Sequence, residues 1–158
     1  MELSPAFQIH SYGPPARAAD IARLRQIYPD IPAGYIELVG QMTGVVLLWH
    51  RKGELRLWGP EQVMAMDQAY GVSTVIPGAM PYGDNGGGQL LVHGKGAAGV
   101  ATYLVESGSL FLDADAPFIA PDLDTMLKTE QGAELIFQSD EVPENEIGPP
   151  RFEQGEYL

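Results

Sequence analysis

The segment Asp84-Asn85-Gly86-Gly87-Gly88 leaves few folds open to this chain. Three consecutive glycines lose too much backbone freedom to sit inside a helix or a strand. Asp and Asn tolerate positive φ, and their side chains bond the backbone two residues on. Gln89-Leu90-Leu91-Val92, a short apolar run of strand character, follows at once. Corner and run together read as a tight turn feeding a buried strand. Other turn signals stand at Pro77-Gly78, Gly94 to Gly99 and Ser107-Gly108-Ser109. Between them lie short strand-like runs at Val75-Ile76, Met80 to Tyr82, Gln89 to His93, Val100 to Val105 and Leu110 to Leu112. This spacing predicts an antiparallel meander in preference to βαβ units.

Helical patterns flank the meander. Pro14-Pro15 precedes a stripe of Ile21, Leu24 and Ile27, and Pro29 closes it. A second helix is expected from Pro32 through Tyr35, Leu38 and Met42 to Gly44. Val45 to His50 and Leu55 to Trp58, joined at Lys52-Gly53-Glu54, read as a β-hairpin. Gly59-Pro60-Glu61 opens a third helix with Val63, Met64, Met66 and Tyr70 on its inner face. A last helix spans Ala120 to Leu127, Pro121 and Asp122 suiting its first turn, and Ala133 to Gln138 extends the packing. The expectation is one α+β domain over residues 1–138, with a central, mostly antiparallel sheet flanked by helices. Residues 139–158 read as an acidic, loosely ordered tail. There is no internal repeat.

At 158 residues the chain is long enough to bury a core without staples, and it has no cysteine. Disulfides, thiol catalysis and cysteine-ligated metals are therefore excluded. No apolar run reaches the roughly 20 residues that a spanning helix needs, and no basic n-region with an apolar core opens the chain. A cytoplasmic protein is expected. The formal charge is −12, unevenly placed: residues 1–112 carry 9 acids and 7 Lys/Arg, and residues 113–158 carry 12 acids and 2 Lys/Arg. Such an excess repels nucleic acid and anionic membranes and draws in a basic partner.

Few residues suggest chemistry. Gly94-Lys95-Gly96-Ala97-Ala98-Gly99 fits the G-x-G-x-x-G dinucleotide fingerprint, with Asp113 placed 19 positions after Gly94. Val100 to Ser107 is too short and too β-branched for the crossover helix that this reading demands. His10, His50 and His93 are scattered, although His50 and His93 could meet across a sheet. Asp113 and Asp115 could join Asp84-Asn85 in an oxygen-ligand calcium site, but the EF-hand spacing is missing. Zincin, nucleophile-elbow and Walker lysine patterns are absent. The residues indicate neither a catalytic group nor a cofactor. Trp49 and Trp58 lie on the predicted hairpin, as packing residues or, if exposed, as interface anchors.

Four pieces in order resemble the SUKH superfamily of bacterial immunity proteins and a fungal regulator of cell-wall synthesis. Ile31 to Leu38, with Thr43-Gly44 after it, is similar to the family's early "LP-x-x-Y" helix. Leu55 to Val63 resembles its strand leading into a helix, and Pro81 to Leu91 its "I-G-x-D-G-G-G" turn and strand. Phe118 to Leu127 resembles its "I-A-x-S-F-x-E-F-L" closing helix. Thr43 stands where the family has Asn, and Leu123 with Met126-Leu127 replaces an aromatic ending. The resemblance implies an antiparallel α+β domain without catalysis that binds and neutralises a toxin domain, often a nuclease. A partner face is expected to draw on Asp84, Asp113, Asp115, Asp122, Asp124, Glu130 and Glu134, with Trp49 and Trp58 as aromatic candidates, and the glycine turn to serve as a rigid elbow at the sheet edge. A dinucleotide-binding enzyme using Gly94 to Gly99 and a regulatory protein–protein scaffold are the alternatives.

Overall fold

The computed structural model describes residues 2–110 and 116–137. Its strands are β1 (Phe7–Gly13), β2 (Thr43–Trp49), β3 (Gly53–Leu57), β4 (Met80–Asp84), β5 (Gln89–Gly96), β6 (Gly99–Glu106) and β7 (Phe118–Ala120). They form one sheet in chain order, and every neighbouring pair is antiparallel. The helices are α1 (Ala18–Ile27), α2 (Tyr35–Val39), α3 (Pro60–Tyr70), α4 (Val72–Val75), α5 (Leu123–Thr129) and α6 (Ala133–Ile136). The chain is thus an α+β domain built on a seven-stranded antiparallel meander. None of the described helices is long and apolar enough to cross a membrane.

Burial explains the order of the strands. In β5 the five residues Leu90 to Gly94 are all buried, and in β6 so are Ala101 to Val105. Successive strand residues point to opposite faces, so the middle of the sheet is covered on both sides. β3 alternates instead, with Leu55 and Leu57 inside and Arg56 outside. Helices α3 and α4 pack against β4, and α5 and α6 pack against β7. Trp58, Tyr35, Tyr82 and Tyr103 are the largest fully buried side chains. The Tyr35 hydroxyl donates to the Trp58 carbonyl at 2.7 Å, which ties α2 to the start of α3.

Several sequence expectations are corrected. Strand β1 follows no periodic signal, because Gln8 to Tyr12 are exposed on both faces and only Phe7 is buried. It is an edge strand, and register shifts on either side of Ser11 bend it. Val75-Ile76 is not a strand: Val75 ends α4, and Ile76 is its extended C-cap. Phe118 to Ala120 pairs with β6 as β7, so the last helix begins only at Leu123. In α1 the inner face carries Asp20 and Leu24, with Tyr28 just beyond, while Ile27 is exposed. In α3, Val63 and Asp67 face inward and Tyr70 is exposed. Asp67 is satisfied there by the Tyr28 hydroxyl and by the Ser73 amide at 2.8 Å. Leu110 lies outside any strand; Phe111, Leu112 and residues 139–158 lie outside the described residues.

After β7 the chain returns across the sheet toward its beginning. The Ser4 amide donates to the Leu127 carbonyl at 2.7 Å, and the Ser4 hydroxyl donates to Glu130. Phe137 stacks on Trp49 with ring centroids 5.1 Å apart. The two ends of the described chain therefore meet beside the β2–β3 turn.

Candidate functional site

The glycine corner is held by its own side chains. Asp84 Oδ1 accepts from the Gly86 amide at 2.8 Å, and Asn85 Oδ1 accepts from the Gly87 amide at 2.9 Å. Gly86 and Gly88 take φ of 78° and 87°, which a side chain would resist. Asn85 is buried, and its Nδ2 donates to Gln89 Oε1 and to the Ile136 carbonyl, both at 2.8 Å. The corner therefore fixes α6 as well as the β4–β5 connection. It joins interior strands of the sheet, which corrects its expected place at an edge.

Gly94 to Gly99 is a hairpin between β5 and β6, closed at the pair Gly96↔Gly99. The Tyr103 hydroxyl accepts from the Ala98 amide at 2.9 Å and donates to the Gly99 carbonyl at 2.7 Å. Gly96 is small because a Cβ there would lie 2.5 Å from the Tyr103 ring. A dinucleotide fingerprint needs a helix N-terminus directed at the pyrophosphate. Strand β6 follows the motif instead, so Gly94 to Gly99 lacks the structural context of that fingerprint.

A more unusual constellation gathers at the β2–β3 turn. Among the described residues three non-glycines have positive φ: His50 at 53°, Arg51 at 61° and Glu130 at 66°. His50 and Arg51 are the central pair of a turn closed by Lys52 N–H to the Trp49 carbonyl at 3.0 Å. Turns of this form favour Asn-Gly, and strained backbone of this kind concentrates at functional positions. Glu130 ends α5 and meets the same turn. Its Oε1 accepts from Trp49 Nε1 at 3.0 Å and lies 3.8 Å from His50 Nε2, and its Oε2 accepts from Ser4. The Ser4 hydroxyl, then the Trp49 indole and the nearby His50, hold the Glu130 carboxyl below its ordinary value. Trp49 is half-buried between His50, at 4.6 Å between centroids, and Phe137.

The nominated residues are only partly brought together. Asp122 caps α5, with Oδ1 accepting from the Thr125 amide at 2.7 Å. Asp124 pairs with Lys128 at 3.1 Å. Glu130 is in the cluster above, and Glu134 is exposed on α6. Asp84 is connected to this side through its neighbour Asn85, and its Oδ2 accepts from Trp58 Nε1 at 2.8 Å. Trp58 is only 1% exposed, so it is a core residue and not an interface aromatic. Asp113 and Asp115 lie outside the described residues, and with them the proposed calcium site. Among the described residues no group of three His, Asp or Glu is placed to hold a metal. His50 and His93 do not pair: His93 is buried in β5, with Nδ1 3.1 Å from Thr102 Oγ1. Ser4 and Arg51 carry no site signal in the sequence, and His50 stands out there only as a possible partner of His93. The one available signal was His50-Arg51 where a tight hairpin turn would favour Asn-Gly.

The sequence matches no protein-family model, and no curated protein matches it.

Proposed function

We propose that the protein is a SUKH-like immunity protein, a non-catalytic module that binds and neutralises a toxin domain. A basic nuclease is the partner class that suits its charge. The observation carrying this reading is the segregation of charge: 12 acids against 2 Lys/Arg after residue 112. A nucleic-acid-binding cleft presents positive potential, and an acidic surface can occupy it and be steered toward it. The antiparallel α+β fold agrees with what the resemblance implies, and its four sequence pieces fall at α2, the β3–α3 junction, the β4–β5 corner and the β7–α5 junction.

Asp84, Asp122, Asp124 and Glu130 are each held by a hydrogen bond or an ion pair within the chain. They act as fixed charges, Glu134 is exposed on α6, and Trp49 is the half-buried aromatic beside Glu130. Such a module acts in the cytoplasm, where its nuclease partner would meet nucleic acid.

Co-expression with any toxic gene product encoded next to this gene tests the reading. Growth should be restored, and the purified pair should associate at a rate that falls steeply with added salt. Failure to protect or to bind would overturn the assignment. Binding at a salt-independent rate would remove its electrostatic part alone.

A further inference from the structure

The glycine corner contains a chemically labile pair. Of the two asparagines in the chain, Asn85 precedes Gly86, whereas Asn145 precedes Glu146. Glycine has no side chain to shield its amide nitrogen from the preceding carboxamide. Gly86 sits at φ 78°, so the turn itself calls for the residue that leaves this nitrogen open. The reaction available to the pair is intramolecular. The Gly86 nitrogen gives its proton to a base and attacks Asn85 Cγ. A new C–N bond forms, the Cγ–Nδ2 bond breaks, and ammonia leaves. Water then opens the resulting succinimide at either carbonyl, which places Asp or isoaspartate at position 85.

In the folded chain both reacting groups are tied down. The Gly86 amide donates to Asp84 Oδ1 at 2.8 Å, and Asn85 Oδ1 accepts from the Gly87 amide at 2.9 Å. Nδ2, the leaving nitrogen, donates to Gln89 Oε1 and to the Ile136 carbonyl, both at 2.8 Å. Asn85 is only 3% exposed, which keeps water and base away from it. Ring closure must break these contacts, so it proceeds from a locally opened state at a rate set by the open fraction. The product does not fit back. A carboxylate has acceptors alone, and it would meet the Ile136 carbonyl where the carboxamide donated. Burying that charge against another acceptor is strongly unfavourable. Isoaspartate also adds a backbone carbon to a corner held by short contacts. We propose that Asn85-Gly86 is a latent deamidation site, and that its modification releases α6 for good. Phe137, which follows α6, stacks on Trp49, so the release reaches the β2–β3 turn. The inference does not depend on which partner the protein binds.

Incubation of the full chain at mildly alkaline pH, with and without urea, tests it. Peptide mass spectrometry should find Asn85 converted roughly tenfold or more slowly in the folded protein than in urea. Gln89→Ala removes one of the bonds on the leaving nitrogen and should speed the folded-state reaction about two- to tenfold, the range of a single hydrogen bond. The deamidated wild-type protein separates by its added negative charge. It should lose amide-exchange protection at Leu135, Ile136 and Phe137, whose amides bond the Gly132 and Ala133 carbonyls, while β5 and β6 stay protected. Asn85→Asp should reproduce that pattern, and the aged wild-type protein supplies the same readout if the variant does not fold. Equal rates with and without urea, a rate unmoved by Gln89→Ala, or full protection of α6 after deamidation would each overturn the proposal.

Discussion

His93 shows how a single side chain sets a pH limit on the fold. Its Nδ1 lies 3.1 Å from Thr102 Oγ1, which is itself 2.8 Å from the Tyr82 hydroxyl. Burial lowers its pKa from the ordinary 6.5, against a weaker pull from Asp30 and Asp122. The folded state therefore resists a proton that the unfolded chain accepts. Stability contributed by neutral His93 is complete above about pH 6.5, is lost as the pH falls below it, and levels off beneath the folded pKa. Urea unfolding between about pH 8 and 5.5 should show this decline, and His93→Gln should flatten it; a flat wild-type profile would contradict the assignment. The other histidines, His10 and His50, are exposed. At this scale the sequence said least. Trp49 and Trp58 carry the same local signal, yet one lies at the surface cluster and the other in the core. What separates them is the position of Asp84, Glu130 and Phe137, all remote in sequence.

At the scale of elements, turn chemistry was legible wherever glycine was its cause. The β4–β5 corner, the β5–β6 hairpin and the cap of α3 all stand where glycine or proline placed them. The corner does more than turn the chain, because buried Asn85 carries the bonds to Gln89, Gly87 and the Ile136 carbonyl. Asn85→Ala leaves a buried carbonyl unpaired and should cost about 1–3 kcal/mol. Denaturant midpoints measure that loss, and faster amide exchange in α6 would place it at the corner. Elements without a periodic signal were not legible. Strand β1 has almost no buried face, and β7 is only three residues long, Phe118–Ala120. Both exist because a neighbouring strand offers an edge, which is information from tertiary context. Val75-Ile76 failed for the opposite reason: its β-branched residues close a short helix packed on β4.

For the molecule as a whole, a net charge of −12 works against compaction. Raising sodium chloride from about 10 mM to 300 mM shortens the Debye length from roughly 30 Å to less than 10 Å. The melting temperature should rise over that range; a fall would mean that internal ion pairs outweigh the repulsion. The overall α+β plan was legible, since strand spacing alone excluded crossover helices. The return of α5 and α6 to Ser4 was not, because no local pattern encodes which distant surface a helix covers. That return has a consequence for cooperativity. Among the described residues Ser4 is clasped to α5 and its cap, and Phe137 to Trp49: Ser4, Trp49, Glu130 and Phe137 form one contact network, so local opening at any one of them loosens the other three.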